Sequence, residues 1–304
     1  MTKVLYTSPY VPAEWIAAHG LEAVRVTPAR TGRVPAALDR QGVCPFVRSF
    51  VANALAWSEP AAVVMTTTCD QMRRAFDVVA RTSEIPVFLL NVPSTWQTVT
   101  ARRLYLDELD RLGAFLVGAG GARPSSERLT ELMLAYDTGR ASSSGTAAPA
   151  RGLRTHPTIP MALVGGPLCR EDLAIFDMIE EGSGCVVLDA TESGLAGWPR
   201  AFDRRRLRDE PLLELADAYF DGIRDVSRRP NDGFYAWLLR ELAAGGIRAV
   251  IVHRHLWCDL WHAEVARLRE KSGLPVLDLD AGDGEATDSS RNRTRIGAFM
   301  EMLT

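Results

Sequence analysis

Short unbroken apolar runs alternate along this chain with longer stretches whose apolar residues recur every three or four positions. The clearest case is Ala61-Ala62-Val63-Val64-Met65-Thr66-Thr67-Thr68-Cys69, followed by Asp70-Gln71-Met72-Arg73-Arg74. The run has no polar alternation, which is the pattern of a strand covered on both faces, and helical spacing begins at Asp70. Before it, Lys3 to Tyr6 and Ala23 to Val26 read as strands, and Pro12 to His19 and Phe46 to Trp57 as helices. After it come a strand from Pro86 to Asn91 and an amphipathic period from Thr98 to Leu116. The stretch Arg140 to Ala150 is small, polar and poor in apolar residues, which predicts a linker or mobile loop.

The rhythm then restarts. Ile159 to Val164, Cys185 to Asp189, Ala249 to His253 and Pro275 to Asp280 read as strands. Glu171 to Glu181, Phe234 to Ala244, Cys258 to Lys271 and Thr294 to Leu303 read as helices. Alternation of this kind predicts parallel sheets with right-handed crossovers. The expected architecture is α/β, with two Rossmann-like parallel-sheet domains over residues 1–139 and 159–304, a linker over 140–158, and a cleft between the domains.

Three cysteines fall where strands hand over to helices. Cys69 follows the Ala61 to Met65 run, Cys258 follows Ala249 to His253, and Cys44 precedes Pro45, a residue suited to the first position of a helix. Open α/β sheets bind ligands at such strand ends. The positive end of a helix dipole there is expected to lower a thiol's pKa towards the thiolate that metals bind. No two of the three have CxxC spacing, so a shared metal needs ligands from distant segments. Buried, unreactive cysteines are the alternative. His255, Cys258 and His262 form another, with spacing suited to one zinc ion. Cys169, after Gly165-Gly166-Pro167, is a candidate fourth ligand or a residue supporting the ligands, and equally a core cysteine. Cys185, within Gly184 to Leu188, reads as core.

Composition narrows the classes. The chain has 304 residues, 47% hydrophobic and 24% charged, with a net charge of -3. That balance gives no general attraction to nucleic acid. No apolar run approaches the roughly 20 residues of a membrane helix, and Met1 to Thr7 lacks a signal-type apolar stretch. Five cysteines, an odd number, argue against a disulfide framework. A cytoplasmic protein with reduced thiols is expected. Arginine supplies nearly all the positive charge, since the only lysines are Lys3 and Lys271. The short runs at Arg73-Arg74, Arg102-Arg103, Arg204-Arg205-Arg206 and Arg228-Arg229 suit phosphate binding or a solvated surface.

Several segments, weak singly, are specific in their order. They are Pro9 to Glu14 with Ala17 to Gly20, Cys44-Pro45, Thr68 to Arg74, Pro86 to Pro93, Gly165 to Pro167, the Cys258 helix, Leu274 to Leu277 and Arg293 to Leu303. In these the chain resembles the 2-hydroxyglutaryl-CoA dehydratase D-component family, which also includes benzoyl-CoA reductase subunits. The resemblance implies a [4Fe-4S] cluster held by Cys44, Cys69 and Cys258, with one iron left open for substrate. It implies a catalytic acid at Glu14, for which the alternative is an ordinary acid in the first turn of a helix. It also implies an acyl-CoA or other small-molecule substrate, reductive removal of a hydroxyl, and a homodimer or a heterodimer with a related subunit. No P-loop is present, so any ATP-driven electron delivery falls to a separate activator protein. An electron-transfer or partner subunit without catalysis, and an offshoot acting on a non-CoA substrate, are the competing functions.

Overall fold

The computed structural model describes residues 2–58, 60–144, 158–282 and 285–304. Eight strands form two four-stranded sheets. The first contains β1 (Lys3–Tyr6), β2 (Glu22–Arg25), β3 (Pro60–Thr66) and β4 (Val87–Leu90), in the spatial order β2-β1-β3-β4. The second contains β5 (Ile159–Gly165), β6 (Gly184–Thr191), β7 (Ala249–His255) and β8 (Val276–Ala281), in the order β6-β5-β7-β8. Every pairing is parallel, and the two orders are the same when each half is numbered from its own first strand.

Parallel sheets need helices on both faces, and the side chains show why. Successive strand residues point to opposite faces. In β3, Ala62 and Val64 enter one apolar cluster while Val63 and Met65 enter another. In β7, Val250 and Val252 join one cluster while Ala249 and Ile251 join a different one. The first sheet is covered on one face by α2 (Pro45–Ala56) and α3 (Asp70–Thr82), and on the other by α1 (Ala13–Ala18), α4 (Val99–Gly118) and α5 (Ser126–Ser144). The second sheet is covered by α6 (Ala174–Glu181) on one face.

The segment after β6 leaves its own sheet. It forms α7 (Arg206–Asp209) and α8 (Pro211–Gly222), whose Leu207, Leu215, Ala216, Tyr219 and Phe220 are buried in the first sheet's cluster with Tyr105 and Leu109 of α4. The chain then returns to the second sheet as α9 (Asp232–Ala244), α10 (Asp259–Ser272) and α11 (Glu285–Leu303). Helices α9 and α10 cover one face, and α11 joins α6 on the other.

Helices α5, α7 and α8 have no counterpart among the elements expected from periodicity. Of the stretch expected as a linker, 140–158, residues 140–144 form the end of α5. The remainder, residues 145–157, lies outside the described residues. Leu129 and Met133 of α5 are fully buried one turn apart, a spacing visible in the sequence. Cys185 is half-buried, because β6 is an edge strand whose Val187 is exposed. No helix among the described residues is long and apolar enough to cross a membrane.

The two halves are joined by buried polar contacts as well as by apolar surface. Glu14 on α1, fully buried, accepts hydrogen bonds from Arg140 Nη1 on α5 and from the Tyr219 hydroxyl on α8, each at 2.5 Å. Arg25 Nη2 reaches across to the Glu192 carbonyl at 2.8 Å. Removing one member of a buried ion pair leaves an uncompensated charge and costs about 3–5 kcal/mol. Arg140→Ala is therefore expected to lower the thermal midpoint by on the order of 10 °C, and Glu14→Gln combined with Arg140→Ala to recover much of it. Circular dichroism melts check this; an Arg140→Ala midpoint equal to wild type would refute it.

Candidate functional site

In both halves the crossovers change direction between the first and third strands, and ligand crevices form at the carboxyl ends of strands at such switch points. Here the two crevices open into one cavity of about 80 Å³. After β1 come Thr7 and Ser8; Thr66 ends β3 and is followed by Thr68 and Cys69. After β5 come Gly166 and Pro167, after β6 Glu192; His255 ends β7 and is followed by Cys258. Cys44 joins them from the start of α2.

The three sulfurs arrive by one local device used three times. Cys44, Cys69 and Cys258 are the residues immediately before α2, α3 and α10. Pro45 stands at the first position of α2, where its missing N–H is not needed. Trp257 has a φ of 68°, and the turn it makes lets the Cys258 N–H donate to the His255 carbonyl at 3.0 Å. Gly165 has a φ of 155°, and a Cβ there would lie 1.9 Å from the His253 carbonyl oxygen. Only glycine allows β5 to turn away so close to β7.

Burial decides the charge state of the thiols. It pushes Cys44 up to about 12 and Cys258 up to about 11, and it raises Cys69 as well. Helix-start N–H groups pull the other way: Val47 and Phe46 at Cys44, Met72 and Gln71 at Cys69, Trp261 at Cys258. The lowered pKa expected from the helix dipole is thus not what the fold produces, because desolvation outweighs the dipole. Without a cation the site holds three neutral thiols. With one, N–H groups already aimed at the sulfurs would stabilise the thiolates.

All five cysteines are free, and three of them meet in this cavity. The wall around them is largely apolar, with Phe46, Val47, Met72, Val226, Leu260 and Trp261. A wider mouth of about 450 Å³ shares Cys44, Thr68, Cys69, Cys258 and Leu260 with the inner cavity and adds Asp70, Gln71, Arg74, Trp257 and Asp259. Three separated thiols on a mostly apolar wall, where the inner cavity meets a wider mouth, are a donor set that an iron-sulfur cluster could take.

The other sequence candidates lie elsewhere. Cys169 is fully buried in the apolar cluster that contains Phe46 and Phe50, and it does not line the cavity. Glu14 is held by Arg140 and Tyr219 and is not part of the cavity wall. His262 is exposed on α10, while His255 is buried and lies 2.8 Å from the Pro167 carbonyl, so the set His255, Cys258 and His262 does not assemble. Most of the arginine runs are taken up by ion pairs: Arg102 with Asp221, Arg206 with Glu214 and Asp217, Arg229 with Glu264.

Two carboxylates that sequence reasoning missed do line the cavity, Glu192 at the end of β6 and Asp225 after α8. Burial, then the charge of Asp225, pushes Glu192 up to about 8, with Arg25 pulling it back. Asp225 is also raised by burial, restrained by the Ser227 N–H that it accepts at 2.7 Å. His255 is lowered to about 3, first by burial and then by His253, so its imidazole is neutral. No local motif marks Glu192 or Asp225. They come together only because α8 folds back.

Comparison with known proteins adds the family. Among curated proteins none matches this chain. Solved structures that resemble it include SBP FpvC of Pseudomonas aeruginosa in complex with Mn2+, 12% identical over 100% of this chain and 98% of that one, with a TM-score of 0.28. The Mn-bound periplasmic metal binding protein of Candidatus Liberibacter asiaticus is 10% identical over 100% of both chains, also with a TM-score of 0.28. Likenesses that weak say nothing of the site. The family model for 2-hydroxyglutaryl-CoA dehydratase, D-component, by contrast, matches residues 9–144 and 146–303, a span that takes in every described strand but β1 and all three cavity cysteines. The chain belongs to the 2-hydroxyglutaryl-CoA dehydratase D-component family.

Proposed function

We propose that this chain is an iron-sulfur subunit of a 2-hydroxyacyl-CoA dehydratase type of enzyme, with Cys44, Cys69 and Cys258 holding a [4Fe-4S] cluster in the cavity. The observation that carries this reading is the convergence of these three thiols from two halves of the chain on one largely apolar chamber. When bound, such a cluster supplies single electrons at low potential and an iron position open to a substrate oxygen.

The chain's own residues do the rest. The helix-start N–H groups fix the sulfurs and stabilise their negative charge. Phe46, Met72, Val226 and Trp261 keep water away, which favours a low potential. Thr7, Ser8 and Thr68 offer hydroxyls to a bound polar group. Glu192, protonated near neutral pH, faces the same chamber and can give a proton to a departing hydroxyl, with the nearby Asp225 charge helping to hold that proton on. This is the task expected of Glu14, which is committed to Arg140 and Tyr219. Arg74 at the mouth can receive an anionic portion of the substrate, such as a CoA phosphate.

The mouth exposes Trp257 and lies directly over the cysteines, so a second chain covering it, identical or related, completes the exclusion of water. Electrons come from a separate donor, an ATP-dependent activator or an equivalent protein. This reading takes the reducing cytoplasm as the setting, where free thiols and an oxygen-sensitive centre persist.

Anaerobically purified, reconstituted protein is expected to contain about four iron and four sulfide per chain. Cys69→Ser should lose most of both, while Cys185→Ser, on the edge strand β6, should keep them. Zinc without sulfide in the wild-type protein would overturn the cluster reading.

The Glu192 proton gives a second test. Its pKa in the folded chain, about 8, lies above its ordinary value of 4.5, so the folded state holds a proton that the unfolded state releases. Stability from this group is complete below about 4.5 and is lost as pH rises towards about 8. In metal-free protein, thermal midpoints should fall across that window, and Glu192→Gln should flatten the fall. An unchanged slope in the variant would show that Glu192 does not hold the proton.

A further inference from the structure

Beneath the thiol cavity lies a second group of ligating side chains. Cys169, Asp172 and His255 are all buried, and one donor atom from each lies within 4.8 Å of the others. Asp172 Oδ1 is 3.3 Å from His253 Nε2, and Asp172 Oδ2 is 3.9 Å from His255 Nε2. The His253 and His255 rings stand edge to face with centroids 5.0 Å apart.

The histidines are the telling feature. His253 has no exposed surface; its Nε2 lies against Asp172, while its Nδ1 and the Nδ1 of His255 have no hydrogen-bond partner. Buried polar atoms are seldom left unpaired, so two such atoms on rings beside one thiol and one carboxylate call for a missing partner. The Pro167 carbonyl at His255 Nε2 and Asp172 Oδ1 at His253 Nε2 account for one nitrogen of each ring and leave the two Nδ1 atoms.

We propose that Cys169, Asp172 and His255 form a three-ligand binding site for a single divalent cation of the zinc type, with the fourth position taken by water. Sulfur, imidazole and carboxylate together are the donors such an ion takes in tetrahedral sites. At bond lengths of 2.0–2.3 Å, tetrahedral ligand atoms are spaced about 3.3–3.8 Å apart. The group therefore needs to contract by roughly one ångström, within reach of side-chain rotation. On binding, the Cys169 thiol releases its proton and the sulfur bonds to the ion, with no change of oxidation state. Arg30, which contacts Asp172 Oδ1, and the Cys169 N–H, 2.8 Å from Oδ2, orient the carboxylate as outer partners of metal ligands do.

The site is distinct from the three cavity thiols and stands whether or not they hold a cluster. Its consequence reaches them all the same. His255 and Pro167 form part of the cavity wall, and Phe46 packs on His255 with ring centroids 5.4 Å apart. An ion here would lock that wall in place.

The test uses the full chain carrying Cys44→Ser, Cys69→Ser and Cys258→Ser, freed of metal and titrated with Co2+. Uptake of about one Co2+ per chain is expected, with a sulfur-to-cobalt charge-transfer band and the intense visible bands of four-coordinate cobalt. Added Zn2+ should bleach both, and Cys169→Ser in the same background should abolish the charge-transfer band. A triple variant with native circular dichroism that takes up no Co2+, or a charge-transfer band that survives Cys169→Ser, overturns the proposal. If the triple variant does not fold, zinc is counted in the wild-type chain after Zn2+ loading and gel filtration. A drop of about one per chain in Cys169→Ser supports the site, and an unchanged count overturns it.

Discussion

The burial of α8 against the first sheet's helices is the contact on which the cavity depends. This helix is encoded in the second half of the chain, yet Leu215, Ala216, Tyr219 and Phe220 sit in the first half's core. Large apolar side chains buried this fully contribute about 1.5–3 kcal/mol each. The Tyr219 hydroxyl ends on Glu14, and Arg102 forms a two-pronged pair with Asp221 at 2.6 Å for each bond. With α8 held, Asp225 just beyond it is fixed at the cavity, and the carboxyl ends of β1, β3, β5 and β7 converge on one cavity. Two parallel sheets alone would leave their crevices free to part.

The chemistry of the cavity follows from two opposing effects of one arrangement. Helix starts supply N–H groups that favour thiolates, while the apolar wall that shields the sulfurs favours thiols. Burial wins in the metal-free chain, and it raises the carboxyl pKa of Glu192 as well. A cation reverses the balance, because its charge outweighs the desolvation that holds the protons on. The same dry wall that makes the thiols weak acids is what a centre of low potential requires.

Much of this was legible along the chain. Unbroken apolar runs and helical spacing implied eight parallel strands, because a strand covered on both faces has no polar positions to alternate. Cys44, Cys69 and Cys258 stood out because each follows a strand or precedes Pro45, where an α/β fold presents side chains to a ligand. The family likeness rests on local motifs, and the family model spans the same segments.

Helices α5, α7 and α8 were harder to read. Arg140 to Ser144 are small and polar in composition, yet α5 continues through Arg140 because Glu14 lies opposite it to pair with the guanidinium. Local order was enough to mark the cysteines, since a helix start is a property of a few neighbouring residues. Glu192, Asp225 and the Cys169, Asp172 and His255 group depend on long-range packing. Cys169 and His255 are more than eighty residues apart, and Glu192 carries no motif. Their protonation and donor roles come from desolvation and mutual approach, which exist only once two distant segments are buried together.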